Sequence, residues 1–314
     1  MSQMIATRDG FGTELVELGK KNSKIVVVSA DLEDATRAEY FKNEFPDRFY
    51  SVGIAEQDMV GTAAGLSLMG YIPFINSFAV FLTNRAYDML RLDLCYNNCN
   101  VKVVCSHAGI TVGPDGASAQ CLEDLALMRV LPNMKVLCPA DVIEAKKMTR
   151  LMAETPGPMY LRTSRAPLPV ISKEEDPLEI GKAIVLREGK DAVVIACGLM
   201  VGQALKASDI LKEKGVSVGV INMHTIKPLD DAAIINAAKT SGCIVTAEEH
   251  QVLGGLGGAV SEVVVKHCPV PMEMVAVMDS FGESGTPEEL IVAYHLSEND
   301  VVKAVQKAIK RKQK

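Results

Sequence analysis

Residues 50–70 read YSVGIAEQDMVGTAAGLSLMG, and this stretch decides the fold class. The pattern is that of a short strand, a tight turn and then a helix rich in small and apolar residues. A strand that leads directly into a helix is the repeating unit of α/β proteins. Glu56 begins the predicted helix and, at about 3.6 residues per turn, shares a face with Val60, Ala63 and Ala64. That face is predicted to be buried, so the carboxylate needs an explanation.

The same alternation continues through the first half of the chain. Nearly continuous apolar runs at residues 24–30, 73–78, 101–107 and 134–139 predict strands that are covered on both faces. Helical patterns occupy residues 10–20, 55–68, 80–96, 118–130 and 142–152. We therefore predict a parallel-sheet α/β domain over residues 1–165.

A second domain of the same class is predicted after a linker. Residues 166–180 are rich in proline and charge, which is typical of a linker. Strand patterns at residues 191–197, 216–222, 243–249 and 272–277 then alternate with helical patterns at residues 202–215 and 230–242. The fold class is therefore two parallel-sheet α/β domains, the second over residues 181–314, with sites expected at the carboxyl ends of strands.

Composition excludes several classes of protein. The chain of 314 residues carries a net charge of −6, which argues against a general nucleic-acid binder. It has no apolar run long enough to span a membrane and no signal-peptide pattern at its start. None of the 8 cysteines forms a CxxC motif, so they are predicted to be reduced core residues of a cytoplasmic protein without its own metal site.

Glu56 has two interpretations at this point. An exposed carboxylate at a helix start is favoured by the helix dipole, whereas a buried one would be kept for proton exchange. The neighbouring small residues Gly61, Ala63, Ala64 and Gly65 suit close packing, either against a helix of another subunit or within one domain.

Further candidates follow the strands. Phe78 and Phe81 are either core residues or a wall for a flat heterocycle, in a chain with no Trp. The loop SHAGITVGPDGASAQ, residues 106–120, carries His107 and Asp115 and is either a functional loop or a surface turn. Arg165, with Arg162 nearby, is either a ligand for an anion or a solvated surface residue.

GGLGGAV, residues 254–260, lacks the spacing and the lysine of a phosphate loop, so close helix packing is the better interpretation.

Taken in order, these blocks resemble the C-terminal half of transketolase, a thiamine-diphosphate enzyme, over essentially the whole chain. The most specific block is GIAEQDMVGTAAGLSLMGYIPFINSFAVF, supported by GPDGAS and LMRVLPNMKVLCPADVIEA. The resemblance implies a pyrimidine-binding domain followed by the transketolase C-terminal domain. It also implies a transferase of carbohydrate metabolism that moves a two-carbon ketol unit from a ketose to an aldose.

The resemblance assigns roles to the candidates. The glutamate that matches Glu56 bonds a ring nitrogen of the aminopyrimidine and drives the tautomer that deprotonates the thiazolium carbon. Phe78 and Phe81 match the aromatic wall around the pyrimidine, although a third family aromatic is replaced by Asn84.

On the substrate side, His107 and Arg165 match sugar-phosphate ligands, Arg8 matches another phosphate ligand, and Asp115 matches a residue that contacts a substrate hydroxyl. Two positions depart from the family, since Ala119 replaces a histidine and Ala35 replaces a phosphate-binding serine. A donor other than an ordinary pentose phosphate is therefore expected.

The chain lacks the GDG motif with which the family holds magnesium and diphosphate. It therefore resembles the second subunit of a split transketolase. Thiamine diphosphate, together with magnesium or calcium, is expected to be bound mainly by a partner resembling the N-terminal part of transketolase, in an α2β2 heterotetramer. Two alternatives remain: the β subunit of a 2-oxo acid dehydrogenase, or a non-catalytic structural subunit.

Overall fold

The computed structural model describes residues 3–312. Residues 1–2 and 313–314, the outer ends of the two predicted domains, lie outside the described residues. The strands are β1 Met4–Ala6, β2 Ile25–Ser29, β3 Phe49–Ser51, β4 Ile72–Phe78, β5 Lys102–Ser106, β6 Lys135–Leu137, β7 Met159–Arg162, β8 Pro167–Pro169, β9 Ile184–Arg187, β10 Ala192–Ala196, β11 Val218–Asn222, β12 Thr225–Lys227, β13 Ile244–Gln251 and β14 Met272–Val277. The α-helices are α1 Thr7–Lys21, α2 Glu33–Thr36, α3 Glu39–Glu44, α4 Glu56–Leu68, α5 Tyr87–Met89, α6 Asp124–Val130, α7 Val142–Glu154, α8 Leu199–Glu213, α9 Asp231–Ser241, α10 Leu256–His267, α11 Pro287–Ala293 and α12 Glu298–Lys312.

The strands form two large sheets with parallel centres, so the predicted fold class is confirmed. The first sheet has the order β12-β6-β7-β5-β4-β2-β3 and the second has the order β14-β13-β10-β11-β9. The edge strands β12 and β9 run antiparallel to their neighbours. Strand β12 lies in the second half of the chain but completes the first sheet, so the two halves share a sheet edge. A small third sheet pairs β1 with β8.

The central strands are buried and mostly apolar because helices cover both of their faces. Every residue of β2, β5, β10 and β11 is buried. One hydrophobic cluster includes Met59 and Val103 from the first half together with Ile195 and Val260 from the second. The halves are therefore joined by apolar packing as well as by the shared sheet.

The cysteines contribute to this core. All eight are free thiols, and seven are buried while Cys268 is partly buried. Within residues 3–312, no helix combines the length and the apolar character needed to cross a membrane.

Two predicted helices differ from the structure. The predicted helix at 80–96 consists of π-helical turns over Phe81–Arg85 and Leu90–Tyr96, with only α5 between them. Such turns accommodate an extra residue in a helix and are frequent at functional sites. The helix predicted from residue 118 begins only with α6, because Cys121 pairs instead with Gly109 in an isolated antiparallel bridge.

Helix α4 has one face in the core and one face outside. Ala63 and Ala64 are buried, whereas nothing lies within 4 Å of a Cβ built on Gly61 or Gly65. Beyond the helix end, Met69 is 75% exposed. The alanines therefore pack within the domain, while the glycines belong to an open, weakly polar outer face.

Candidate active site

The candidate residues gather at the carboxyl ends of neighbouring parallel strands. Strand β4 lies between β2 and β5, and Phe78, the last residue of β4, is in register with Ser106, the last of β5. His107 follows immediately and has a φ of +58°, a left-handed conformation that a residue other than glycine adopts at a cost on the order of 1–3 kcal/mol. This turn places the imidazole beside Phe78.

Three rings form a continuous stack. The His107 and Phe78 ring centroids are 3.7 Å apart, and those of Phe78 and Phe81 are 5.6 Å apart with 14° between the planes. Both phenylalanines are partly exposed, unlike the fully buried core residue Phe74. The stack therefore presents flat faces of a kind suited to a heterocycle.

Glu56 is buried at the start of α4, with only 2% of its surface exposed. Its two carboxylate oxygens both accept hydrogen bonds from Nη1 of Arg85, each at 2.9 Å. The Arg85 guanidinium also lies 5.4 Å from the centroid of the Phe81 ring. The carboxylate is therefore connected to the aromatic stack through one cation, and the exposed-surface interpretation of Glu56 does not apply.

The predicted sugar-phosphate residues lie at the end of the stack that His107 forms. Burial, followed by the positive charges of Arg8 and Arg165, lowers the pKa of His107 to about 3, so its imidazole is neutral at physiological pH. Asp115 and Arg165 form an ion pair of 3.2 Å. His107 can thus contribute a hydrogen bond at this place but not a positive charge, which comes from the arginines.

Arg37 belongs to the same cluster but was missed by sequence reasoning. It stands at the end of α2, in a left-handed conformation with φ +70°, and its Nε donates to Asp9 Oδ1 at 2.7 Å. Its charge acts on His107 and on Arg8. The only signal in the sequence was a basic residue inside the otherwise acidic stretch DLEDATRAE.

Arg85 was also missed. It follows the two phenylalanines in FAVFLTNRAYD, where a charged residue in a predicted apolar helix offered a weak signal. Its pairing with Glu56 joins residues 29 positions apart and depends on the π-helical turn after β4. No local pattern could have identified that contact.

The three departures from the family pattern have distinct surroundings. Ala119 is buried, and the amide of the adjacent Gln120 donates to the carbonyl oxygens of Ile110 at 3.0 Å and Glu283 at 2.9 Å. Asn84 donates to Glu123 at 2.8 Å. At Ala35 the backbone carbonyl accepts a hydrogen bond from Nη1 of Arg8 at 2.7 Å.

Arg162 is a structural residue rather than an anion ligand. It is buried, donates through Nε to Asp124 at 2.9 Å, and donates through Nη2 to the carbonyl oxygen of Glu249 at 2.7 Å. The Glu249 carboxylate accepts from the amide and the hydroxyl of Thr111, and burial raises its pKa. This network connects the two halves of the chain directly behind the site.

The glycine-rich segment at 254–260 forms the start of α10. Its amides at Leu256 and Gly257 donate to the carboxylate of Glu248, both at 2.7 Å. A carboxylate of this chain therefore already occupies the start of α10, where free amides could otherwise bind an anion. The segment is thus packed against its own chain, which agrees with the close-packing interpretation.

Family models cover nearly the whole chain. The model described as "Transketolase, pyrimidine binding domain" matches residues 3–170, and the model described as "Transketolase, C-terminal domain" matches residues 181–301.

Individual relatives agree with these matches. A Methanocaldococcus jannaschii protein whose name describes a transketolase C-terminal section is 43% identical, with 97% of this chain and 96% of that protein covered. The 6-deoxy-6-sulfo-D-fructose transketolase subunit SqwH of a Clostridium species is 39% identical, with 97% and 95% covered. A solved structure described as "Split gene transketolase, inactive beta4 tetramer" has a TM-score of 0.92 and 46% identity, with 98% and 99% covered.

Proposed function

Because this chain belongs to the transketolase family, we propose that it is one subunit of a split, thiamine-diphosphate-dependent transketolase. It moves a two-carbon ketol unit from an anionic ketose to an aldose, and it is active only with a partner that carries the diphosphate-binding domain. One observation carries this proposal: a buried carboxylate, an aromatic stack and an arginine cluster meet at the ends of adjacent strands.

The residues fit the pyrimidine side of thiamine diphosphate. Phe78 and Phe81 offer a partly exposed, flat apolar wall, and Glu56 offers a buried carboxylate held next to it. In this assignment Glu56 exchanges a proton with a pyrimidine ring nitrogen, and the phenylalanines hold the ring against water. The cofactor, when bound, supplies the electron sink for carbon–carbon bond cleavage.

The substrate side is assigned to Arg8, His107, Asp115 and Arg165. The arginines bind the terminal anion through charge-assisted hydrogen bonds. Neutral His107 and Asp115 orient sugar hydroxyl groups, since one can donate and the other can accept. The combination of anion-binding arginines with His107 and Asp115 for hydroxyl groups favours a sugar-phosphate substrate, and hence ketol transfer, over a 2-oxo acid, which has no sugar hydroxyl groups.

The partner is assigned the GDG motif and thus magnesium or calcium and the diphosphate. The open outer face of α4, with Gly61, Gly65 and Met69, supports self-association as part of an α2β2 assembly, because two helices approach closely where glycines face each other. The related split-gene transketolase structure is itself described as a tetramer of β chains. We further assign the cytoplasm as location, with domain boundaries after residues 165 and 180.

The test is reconstitution. The chain is co-expressed with a candidate GDG-containing partner from the same genome, co-purified, and assayed for ketol transfer over a panel of ketoses and aldoses with thiamine diphosphate and magnesium. We expect a stable complex and transfer only when both subunits are present. A complex that oxidatively decarboxylates 2-oxo acids, or one without turnover on any ketose, contradicts the proposal.

A further inference from the structure

We propose that Arg37 is a third arginine of the anion-binding cluster and sets the preference for ketoses that end in a tetrahedral oxyanion. This inference rests on the proposed function. The family resemblance assigns no role to Arg37.

Arg37 is held close to Arg8 by contacts of its own side chain and backbone. Helix α2 ends at Thr36, and Arg37 takes the left-handed conformation, φ +70°, that turns the chain away from the helix. Its Nη1 donates to the carbonyl of Asp34 at 3.1 Å and its Nε donates to Asp9 at 2.7 Å. Asp9 is the chain neighbour of Arg8, so the Arg37 guanidinium is fixed at the same turn of α1 as the proposed phosphate ligand.

The three arginines of the cluster differ in whether a carboxylate pairs with them. Arg37 pairs with Asp9 and Arg165 pairs with Asp115. Arg8 forms no ion pair with any residue between 3 and 312, and its Nε is buried without a hydrogen-bond partner. Burial and then the charge of Arg37 lower the pKa of Arg8. Two of the three guanidinium groups are thus paired with carboxylates, and the third, Arg8, is the one that a bound anion would pair with.

Ala35 and Arg37 supply different chemical groups from the serine that the family has at this place. The family serine, a neutral donor, is replaced by Ala35, whose carbonyl instead holds Arg8. Two residues later the chain supplies a guanidinium. A hydroxyl gives one hydrogen bond whose strength depends on ligand charge less than that of a guanidinium, which carries a full positive charge of its own. The site is therefore predicted to discriminate more strongly by terminal charge than a site built around the serine.

A dianionic phosphate and a monoanionic sulfonate share the tetrahedral oxyanion that Arg37 would bind. They differ in charge, so loss of Arg37 should weaken the phosphate ester most, the sulfonate less and an uncharged ketose hardly at all. A lost charge-assisted hydrogen bond corresponds to roughly a 10- to 100-fold weakening for the phosphate.

The first experiment uses the purified chain and inorganic phosphate as the probe. Phosphate affinity is measured from thermal stabilisation, with wild type, Arg37→Asn and Asp9→Asn. Asparagine removes the charge but tolerates the left-handed backbone. We expect Arg37→Asn to weaken phosphate binding at least about tenfold, while Asp9→Asn, which removes only the counter-charge, leaves it equal or tighter. Phosphate binding by Arg37→Asn that equals that of the wild type would show that Arg37 is structural.

The second experiment uses the reconstituted complex. The kcat/KM of wild type and Arg37→Asn is measured for a ketose phosphate, a ketose sulfonate and the corresponding uncharged ketose. We expect an increase in KM that follows terminal charge, with kcat nearly constant. An equal loss on all three donors overturns the role of Arg37, whereas a wild-type complex inactive on every ketose contradicts the proposed function and leaves the phosphate-binding result to decide Arg37.

Discussion

Glu56 can stay buried as a carboxylate because Arg85 lies against it. Burying an unpaired charge is costly, and removal of one member of a buried pair typically costs about 3–5 kcal/mol. Arg85 is about half exposed, with a side-chain exposure of 53%, so solvent screens part of that interaction. The pair thus holds the carboxylate in place, while its cationic partner stays accessible to solvent.

We predict that Glu56→Gln removes most transfer activity without disturbing assembly. A neutral amide cannot exchange the proton that the proposed chemistry requires, and such groups are worth roughly a hundred- to ten-thousand-fold in rate. The measurement is turnover of the reconstituted complex together with hydrogen–deuterium exchange at the thiazolium carbon.

Glu288→Gln is the matched control, since Glu288 is an exposed carboxylate in the first turn of α11. It should behave as wild type. Normal exchange at the thiazolium carbon in Glu56→Gln would remove Glu56 from the catalytic assignment.

We predict that Ala119→His changes donor preference. Ala119 has a methyl group that cannot hydrogen-bond where the family places an imidazole, and the Gln120 amide already donates to two backbone carbonyls. A restored hydrogen bond to a substrate hydroxyl should shift the ratio of kcat/KM between xylulose 5-phosphate and longer or sulfonated ketoses by about tenfold. If the wild type already prefers xylulose 5-phosphate and histidine leaves the ratios unchanged, the alanine has no bearing on specificity.

At the scale of elements, the start of α7 connects three segments. Asp141 caps the helix by accepting from Ile143 and Glu144, and its second oxygen accepts from the amides of Ile171 and Ser172 in the predicted linker. Glu144 accepts from Asn222, at the end of β11, at 2.7 Å. Helix, linker and second sheet thus meet at two buried carboxyl groups.

This junction predicts a pH dependence of stability. Burial raises the pKa of Glu144 from its ordinary value of 4.5 to about 7. Between these two pH values the folded chain binds one proton more than the unfolded chain, so the free energy of unfolding falls as pH rises. The expected loss is about 3 kcal/mol from pH 4.5 to above pH 7.

The measurement is denaturant unfolding across this range for wild type and Glu144→Gln. The variant should have a stability close to that of the wild type at low pH, where the protonated carboxyl group and the amide are both neutral and both present a donor, but it should lack this part of the slope. Glu288→Gln should keep the wild-type slope. The same slope in Glu144→Gln would assign the pH dependence to other groups.

At the scale of the whole molecule, the chain joins its two sheets in one packed body but supplies half of the proposed site. We predict that the isolated chain is inactive and binds thiamine diphosphate at least about 100-fold more weakly than the assembled pair, which corresponds to about 2.7 kcal/mol. The reason is that no GDG segment is present to hold magnesium and diphosphate. Calorimetric titration of the single chain measures this directly, and tight magnesium-dependent binding would contradict the split-enzyme proposal.

Sequence patterns predicted secondary structure best where burial follows a regular pattern along the chain. The four fully buried strands were predicted because helices on both faces favour apolar residues along most of their length. Sequence patterns did not predict the structure where the backbone departs from regular geometry, as in the π-helical turns around α5 and in the loop before α6. There the path of the chain is fixed by distant partners, such as Glu56 for Arg85, rather than by neighbours in sequence.

The amino-acid sequence by itself determined the α/β class, the family and the residue types of the candidate site, because periodicity and ordered motifs are local properties. Only the tertiary structure decided that Glu56 is buried against Arg85, that Arg162 joins the two halves, and that β12 completes the first sheet. It also placed Arg37 beside Arg8. These contacts join residues far apart in the chain, and charge, burial and hydrogen bonding depend on distance in space.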